Sequence, residues 1–397
     1  MGRLALLLAA LAACGPSDIT GTSDDGGTHD AAKPAATGFP LTSQEGGLTY
    51  SVAITVGGQQ FQVITDTGST TLGIAGSTCT GCGVSPEYTP SATAVDQHTT
   101  SKATYGDMSG WTAENYADSV AITGDPTSVT MNFGVMTSEM GFFQQGETDQ
   151  GILGFAGAAA ALPGTEAYVD KRAPGQFAFQ LCPDDGTLWL GAADATHETA
   201  AAQYTPLAAM TSTQPFYVID VTSASIGSTS VGLSGNVVAD TGTSIMVLSS
   251  SVANNIVSAI KANGFSTIFG SQQLSTSATQ LDCLDPGMHT RAEIDAALPS
   301  FAITLPKSGG GSFTVTMPAS MSYLMPLEGM YCFGVTTVSG LPNIFGDAFL
   351  RAFVTTFDVA NKQLGLAPEA GCVLPAIARP DHPVQHKPWR IRGRPAT

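Results

Sequence analysis

Two carboxylates far apart in the chain occur in the same short sequence context. Asp66 follows the strand-like run 61–65, Asp240 follows the run 235–239, and each begins an Asp-Thr-Gly-Ser/Thr word. One such word is ordinary turn chemistry after a strand, whereas two copies predict a pair. Two carboxylates brought face to face cannot both ionise cheaply, so they share a proton, and one can act as a base while the other acts as an acid. The repeated word therefore predicts acid–base chemistry on a bound water.

The residues next to each carboxylate are of types that can hold it in place. A glycine two positions after each Asp permits a tight turn that brings backbone N–H groups close to the carboxylate. The hydroxyl that follows the glycine can donate a hydrogen bond to it. The residues that we expect to support the pair are Thr67, Gly68, Ser69, Thr241, Gly242 and Thr243.

Strands must position these turns, and each half of the chain carries a matching second word. Residues 151–155 read Gly-Ile-Leu-Gly-Phe and residues 343–347 read Asn-Ile-Phe-Gly-Asp, so the chain looks internally duplicated. Abundant glycine, serine, threonine and proline, with apolar residues that tend to alternate, favour strands and turns over long helices. A chain of 397 residues is too long for one small domain. We therefore expect an all-β, mainly antiparallel fold of two lobes.

Charge and motif content exclude several other functions. Acidic residues outnumber basic ones 32 to 15, which argues against binding of nucleic acid or of an anionic membrane through a basic face. The histidines form no His-Glu-x-x-His word, which disfavours metal hydrolysis. No Gly-x-Ser-x-Gly word occurs, which disfavours serine hydrolysis. We expect neither a metal nor a cofactor.

The two Asp words and their partners resemble those of the pepsin-like aspartic proteases. The resemblance extends from about residue 48 to Cys372, and the segments 344–351, 356–358 and 364–368 are similar to the last segment of that family. It implies a bilobal fold with lobes related by a pseudo-twofold axis.

The resemblance also implies roles for individual residues. Asp66 and Asp240 become the catalytic pair, with Thr67 and Thr241 interlocked beneath it. The implied activity is hydrolysis of internal peptide bonds in an extended polypeptide. A catalytically weak or inactive peptide-binding member of the same fold is the alternative.

The segment 103–110, which reads Ala-Thr-Tyr-Gly-Asp-Met-Ser-Gly, looks like the flap hairpin that closes over substrate in that family. The resemblance makes Tyr105 the flap tyrosine, with Gly106 and Asp107 beside it at the substrate. Gly106 would let the hairpin tip bend and approach a peptide backbone. A solvent-exposed turn tyrosine is the other interpretation.

One position departs from the family pattern. Vertebrate pepsins carry a tryptophan seven residues after the first catalytic Asp, where it supports the flap tyrosine, and this chain has Gly73 there. We therefore expect support for the flap to come from elsewhere or to be weaker. Trp111 and Trp189 are candidates by residue type alone, with packing in the core as the other interpretation.

Seven cysteines are present, which leaves six for three disulfides if Cys14 carries a lipid. A Cys-x-x-Cys word such as 79–82 can be a redox or metal motif, but no histidine lies nearby and no second such word exists, so a local bridge is the better interpretation. The segment 179–182, with a cysteine near the chain end, resembles plant-type members of the family. The pairs that we expect are Cys79–Cys82, Cys182–Cys372 and Cys283–Cys332.

The first residues resemble an export signal. The apolar run that follows Arg3 is too short to span a bilayer as a helix. Residues 11–14 read Leu-Ala-Ala-Cys and resemble the bacterial lipobox, which implies cleavage before Cys14 and attachment of lipid to its sulfur. Cleavage after Ala12 by ordinary signal peptidase, which would release a periplasmic or secreted protein, is the other interpretation. We expect a bacterial protein that is lipid-anchored at the outer membrane or cell surface.

These features predict the organisation of the whole chain. The predicted segments are a signal peptide at 1–13, a lipid-anchored flexible linker at 14–47, an N-terminal lobe at 48–204, a C-terminal lobe at 205–374 and a disordered basic tail at 375–397. We expect polypeptide substrates, no nucleic acid, contact with the membrane only through the lipid, and a monomer.

Overall fold

The computed structural model describes residues 37–44, 46–143, 148–209, 216–276, 280–327, 329–372 and 389–390. The predicted signal peptide and Cys14 lie outside these ranges. So do the predicted linker up to residue 36 and all of the predicted tail except residues 389–390.

The first part of the chain is built mainly from strands. They are β1 (Gly38–Gln44), β2 (Thr49–Val56), β3 (Gln59–Asp66), β4 (Gly73–Thr80), β5 (Val95–Thr104), β6 (Gly110–Ile122), β7 (Val129–Met140), β8 (Gly151–Gly154), β9 (Phe177–Leu181), β10 (Asp185–Trp189) and β11 (Gln203–Pro206). One short helix, α1 (Tyr168–Arg172), and 3-10 turns at Ala158–Ala160 and Ala195–His197 accompany them.

The second part combines strands with four helices. Its strands are β12 (Val218–Val221), β13 (Ser223–Ile226), β14 (Thr229–Ser230), β15 (Gly235–Ala239), β16 (Met246–Val247), β17 (Gln280–Leu281), β18 (Cys283–Leu284), β19 (Phe301–Pro306), β20 (Ser312–Met317), β21 (Leu324–Leu327), β22 (Met330–Phe333), β23 (Val335–Thr336), β24 (Ile344–Phe345), β25 (Phe353–Asp358), β26 (Gln363–Pro368) and β27 (Trp389–Arg390). Its helices are α2 (Ser250–Ala262), α3 (Phe265–Phe269), α4 (Arg291–Ala297) and α5 (Asp347–Leu350), and a 3-10 turn lies at Ala319–Met321.

The two halves repeat one strand order. The N-terminal half has the order β2-β3-β8-β4-β7 and the C-terminal half has β12-β15-β24-β16-β23. In both, the strand that leads into an Asp turn pairs in parallel with the strand of the second word, β3 with β8 and β15 with β24. The following strand pairs with the same partner in antiparallel fashion. The expectation of a mainly β, bilobal fold is confirmed.

A central sheet joins the halves, and its first strand corrects a prediction. Its strands have the order β11-β26-β25-β9-β10-β1-β2, so strands from both halves of the chain take part in it. Residues 38–44 were expected to belong to a flexible linker, and they form β1 instead. Phe39 and Leu41 alternate with exposed residues and are buried, so this strand covers apolar surface that would otherwise face water. The prediction of a linker to residue 47 was wrong for these residues.

An aromatic cluster ties the central sheet to both lobes. Phe177 stacks on Phe357 with ring centroids 4.9 Å apart, and both rings contact Tyr217. The Tyr217 hydroxyl donates to the backbone carbonyl of Phe155, at 2.8 Å. These side chains are buried, so the core is continuous from the second word of the first half to the start of the second half.

Helix α2 was not anticipated from the sequence. Its buried residues are Val252, Ala253, Ile256, Ala259 and Ile260, a spacing that places them on one face. None of the helices in the described ranges has the length and apolarity that a membrane span requires.

Two residues of the predicted disordered tail are part of a sheet. Strand β27 (Trp389–Arg390) pairs in antiparallel fashion with β17, with Trp389 opposite Leu281 and Arg390 opposite Gln280. The rest of that predicted tail lies outside the described residues.

Candidate active site

The turn after β3 presents the Asp66 carboxylate in a fixed orientation. The Gly68 N–H donates to Asp66 Oδ1 at 2.7 Å, and the Ser69 hydroxyl donates to Oδ2. A Cβ at Gly68 would lie 2.5 Å from Asp240 Oδ1, so only glycine leaves room for the second carboxylate.

The turn after β15 repeats this arrangement around Asp240. The Gly242 N–H donates to Asp240 Oδ1 at 2.8 Å, and the Thr243 hydroxyl donates to Oδ2. A Cβ at Gly242 would overlap Asp66 Oδ1. Each glycine therefore faces the carboxylate of the opposite turn, and the two carboxylates meet in one site.

Thr67 and Thr241 lock the two turns together. The Thr67 N–H donates to Thr241 Oγ1 at 3.1 Å, and the Thr241 N–H donates to Thr67 Oγ1 at 2.9 Å. The Thr67 hydroxyl donates to the carbonyl of Ala239 and the Thr241 hydroxyl to the carbonyl of Thr65, each at 3.1 Å. Both threonines are fully buried, and through these four bonds each hydroxyl donates and accepts a hydrogen bond within the protein.

Burial changes the titration of the carboxylate pair. Asp66 is 4% exposed and Asp240 is 8% exposed, and burial raises the pKa of both above the ordinary value of 3.8. For Asp240, the negative charge of Asp66 raises the pKa further. The pair therefore keeps a proton at a pH where isolated carboxyls have lost theirs.

A hairpin of β5 and β6 covers the pair. Its turn is closed by the Tyr105 N–H, which donates to the carbonyl of Ser109 at 2.9 Å, and by the Met108 N–H, which donates to the carbonyl of Tyr105 at 3.0 Å. The Ser109 N–H also donates to Asp107 Oδ1 at 2.9 Å. Tyr105, Gly106 and Asp107 line the space above the carboxylates.

Trp111 supports the flap tyrosine in this chain. Its Nε1–H donates to the Tyr105 hydroxyl at 3.0 Å, and its indole is 2% exposed. A Cβ at Gly73 would lie 2.8 Å from Trp111 Cζ2, so the glycine makes room for the indole. Trp189, the other candidate by residue type, lies in the central sheet and packs against His197 with centroids 5.1 Å apart. The absence of tryptophan at position 73 is thus compensated from β6.

The cleft between the lobes has a volume of about 240 Å³ and apolar walls. Ile64, Phe142 and Ile152 line it on the N-terminal side. Val238, Leu341 and Ile344 line it on the C-terminal side. The arrangement offers an apolar channel with the two acidic groups at its floor and a hairpin above them, which suits an extended chain.

Comparison with known proteins decides the family. The family model described as eukaryotic aspartyl protease matches residues 49–369, a range that contains both Asp turns and the flap. The chain belongs to the aspartyl protease family. It is an aspartic-type endopeptidase by that membership.

Individual members of the aspartyl protease family are similar over most of the chain. An aspartic protease of Phaffia rhodozyma is 27% identical over 338 residues, which are 82% of this chain and 78% of the relative. Penicillopepsin-1 of Penicillium janthinellum is 28% identical over 356 residues, 86% of this chain and 100% of the relative. Pepsin A of Sus scrofa is 28% identical over 335 residues, 81% of this chain and 80% of the relative.

The six cysteines of the described ranges form three disulfides in this aspartyl protease. Cys182 is joined to Cys372, Cys283 to Cys332, and Cys79 to Cys82, which are the same pairs that we expected. The first joins Cys182, the residue after β9, to Cys372 beyond β26, and the second joins directly opposed residues of β18 and β22.

Sequence reasoning missed a buried polar group behind the pair. Asp347 is fully buried, and neither carboxylate oxygen has a hydrogen-bond partner among the described residues. Burial raises its pKa well above the ordinary 3.8, with a further contribution from the charge of Asp240. Arg351 lies one turn on in the same segment and is 2% exposed. An acid and a base inside the otherwise apolar run 344–353 are the sequence signal that indicates such a group.

Proposed function

We propose that this protein hydrolyses internal peptide bonds of extended polypeptides with a water activated by Asp66 and Asp240. The observation that carries the proposal is the face-to-face arrangement of the two carboxylates, each held by its own glycine and hydroxyl and each facing the glycine of the other turn. The four hydrogen bonds between the threonine turns resist separation of the pair.

The shared proton sets the chemistry. The ionised member of the pair takes a proton from the water, which attacks the scissile carbonyl carbon. The protonated member donates to the carbonyl oxygen, and a proton then passes to the amine nitrogen as the C–N bond breaks. The protonation state belongs to the pair and not to one Asp. No covalent intermediate with the protein is required.

Tyr105, Gly106 and Asp107 act as the cover in this proposal. Their hairpin closes over the substrate and limits the entry of bulk water to the reacting bond. Trp111 holds the Tyr105 hydroxyl, so the aromatic ring keeps its position above the pair.

A cleavage assay with conservative variants tests the proposal. Denatured protein is incubated with the wild type and with Asp66→Asn and Asp240→Asn at values from about pH 3 to pH 7, a range that begins below the ordinary pKa of an aspartate. Each variant should lose at least about 1,000-fold in kcat, and the double variant should lose no more, because the pair acts as a unit.

The exposed Asp185→Asn serves as the control and should cleave like the wild type. Cleavage that survives both substitutions would overturn the proposal. No cleavage by a folded wild type at any pH would favour the alternative, an inactive peptide-binding member of the family.

We also propose that the protein is exported as a monomer and held at the outer membrane or cell surface by lipid on Cys14. The lipobox-like word at residues 11–14 supports lipid attachment, and the three disulfides suit an oxidising compartment. Expression in a bacterium with radioactive palmitate should label the wild type. Retained label in Cys14→Ala would exclude Cys14 as the anchor, and a wild type without label would favour a periplasmic or secreted protein.

A further inference from the structure

Met108 at the tip of the flap combines two unusual properties. Its backbone has φ of 67°, a region that residues other than glycine seldom occupy, and a bulky side chain there requires a compensating reason. Its side chain is 64% exposed, among the most exposed large apolar side chains of the described residues. The flap thus holds an apolar group out into solvent on an unfavourable backbone.

Met140, the last residue of β7, provides a second exposed apolar side chain on the strand that pairs with β6. It is 58% exposed and immediately precedes Gly141, which pairs with Gly110, two residues beyond Met108. Strand geometry places the two methionines within about 10 Å of each other. We call this pair, Met108 and Met140, the methionine rim.

The methionine rim is continuous with the cleft. Asp107 and Ser109, the two neighbours of Met108 in the chain, line the cleft. On the opposite lip, Leu341 lies so close to the flap that a Cβ on Gly106 would be 2.9 Å from its Cδ1. Met108 therefore lies between two residues that line the cleft, at its flap side.

The chemistry of methionine suits a varied polypeptide partner. Its unbranched, polarisable side chain adapts to differently shaped apolar groups, and such side chains are frequent at surfaces that bind many sequences. We propose that the methionine rim binds apolar side chains of the polypeptide substrate just outside the cleft and so favours long substrates with apolar flanks. This inference rests on the proposed peptidase function and specifies its substrates.

Two peptides that share one cleavage sequence test the inference. The short peptide has about eight residues, or about 28 Å when extended, and the long peptide has about thirty, with apolar flanks. The rim variant is Met108→Asn with Met140→Gln, because asparagine tolerates a left-handed backbone and glutamine matches methionine in length. Met288→Gln is the matched control, since Met288 is 72% exposed in the turn before α4.

The rim variant should raise KM for the long peptide about tenfold and change KM for the short peptide less than about twofold. Met288→Gln should leave KM for both peptides unchanged. Equal losses on both peptides would show that the methionines serve flap closure, and no loss on either would leave them without a binding role; both results overturn the inference. Loss of binding to phosphatidylglycerol vesicles, with the ratio between peptides unchanged, would assign the rim to lipid and overturn it as well.

Failure of the proposed function is distinguishable from failure of this inference. If the wild type cleaves neither peptide, the fluorescence anisotropy of both labelled peptides is measured with the wild type and the rim variant. Weaker binding of the long peptide alone supports the rim, and equal binding of both peptides by the two proteins overturns it.

Discussion

The N-terminal and C-terminal lobes present the same turn to the cleft and differ in what lies above and behind it. Asp66 and Asp240 receive equivalent bonds from a glycine N–H and a hydroxyl. Above the pair, only the first half contributes the long hairpin of β5 and β6 to the cleft walls, whereas the second contributes Leu341 and Pro342.

Behind the pair, the two second words differ at their last residue. In the first half this residue is Phe155, which belongs to the aromatic cluster, and in the second half it is Asp347, a buried carboxyl without a hydrogen-bond partner in the described part of the chain. The comparison teaches that the duplicated halves keep the groups that hold the reactive atoms. They diverge above the pair, where the first half supplies the hairpin of β5 and β6, and behind the pair, where the second half places the third carboxyl, Asp347.

The symmetry of the two turns is tested most severely at their glycines. Gly68→Ala and Gly242→Ala should each reduce kcat about 100-fold or more, because either methyl group would displace the opposite carboxylate. Gly175→Ala is the control, since a Cβ there meets nothing within 4 Å. Peptide cleavage is measured together with the thermal midpoint. If one glycine tolerates alanine as well as Gly175 does, the two half-sites are not equivalent.

The hairpin that only the first half places above the carboxylate pair is tested at Trp111. Trp111→Phe removes the donor to Tyr105 and should lower kcat/KM about tenfold, the value of one buried hydrogen bond. Trp189→Phe alters an equally buried indole outside the cleft and should lower the thermal midpoint without this loss of kcat/KM. Steady-state kinetics and thermal unfolding of both variants provide the measurement. Equal kcat/KM for the two variants would mean that the flap does not depend on Trp111.

The buried Asp347, which only the second half places behind the carboxylate pair, is tested by the pH dependence of thermal stability. Because burial raises the pKa of Asp347, the folded state holds its proton more tightly than the unfolded state, so the contribution of Asp347 to stability is greatest at low pH and is lost as pH rises above about 4. Asp347→Asn removes this titration and should narrow the difference in thermal midpoint between pH 4 and pH 7 by about 3 °C or more.

Asp185→Asn, at an exposed site, should leave that difference unchanged. Calorimetry at pH 4 and pH 7 measures the thermal midpoints of the wild type and of both variants. An unchanged difference in Asp347→Asn would mean that Asp347 titrates alike in the folded and unfolded states.

Local sequence patterns predicted much of the fold and failed at identifiable places. The Asp turns and the duplication were readable because each depends on short motifs, and the cysteine pairs followed from the resemblance to a known family. The helix α2 has a clear helical spacing of apolar residues from Val252 to Ile260, which the general richness in strand formers obscured. Strand β1 was mistaken for linker because only two buried residues, Phe39 and Leu41, distinguish it from its polar surroundings.

The sequence by itself determined which residues can carry the chemistry: two acids in identical turns, glycines that permit the turns, and hydroxyls that can bind the acids. Only the tertiary structure decided how distant segments meet. It placed Trp111 and not Trp189 beside Tyr105, and it put Gly73 where a larger side chain would strike the indole. Those choices depend on the pairing of strands far apart in the chain, and no local pattern carries that information.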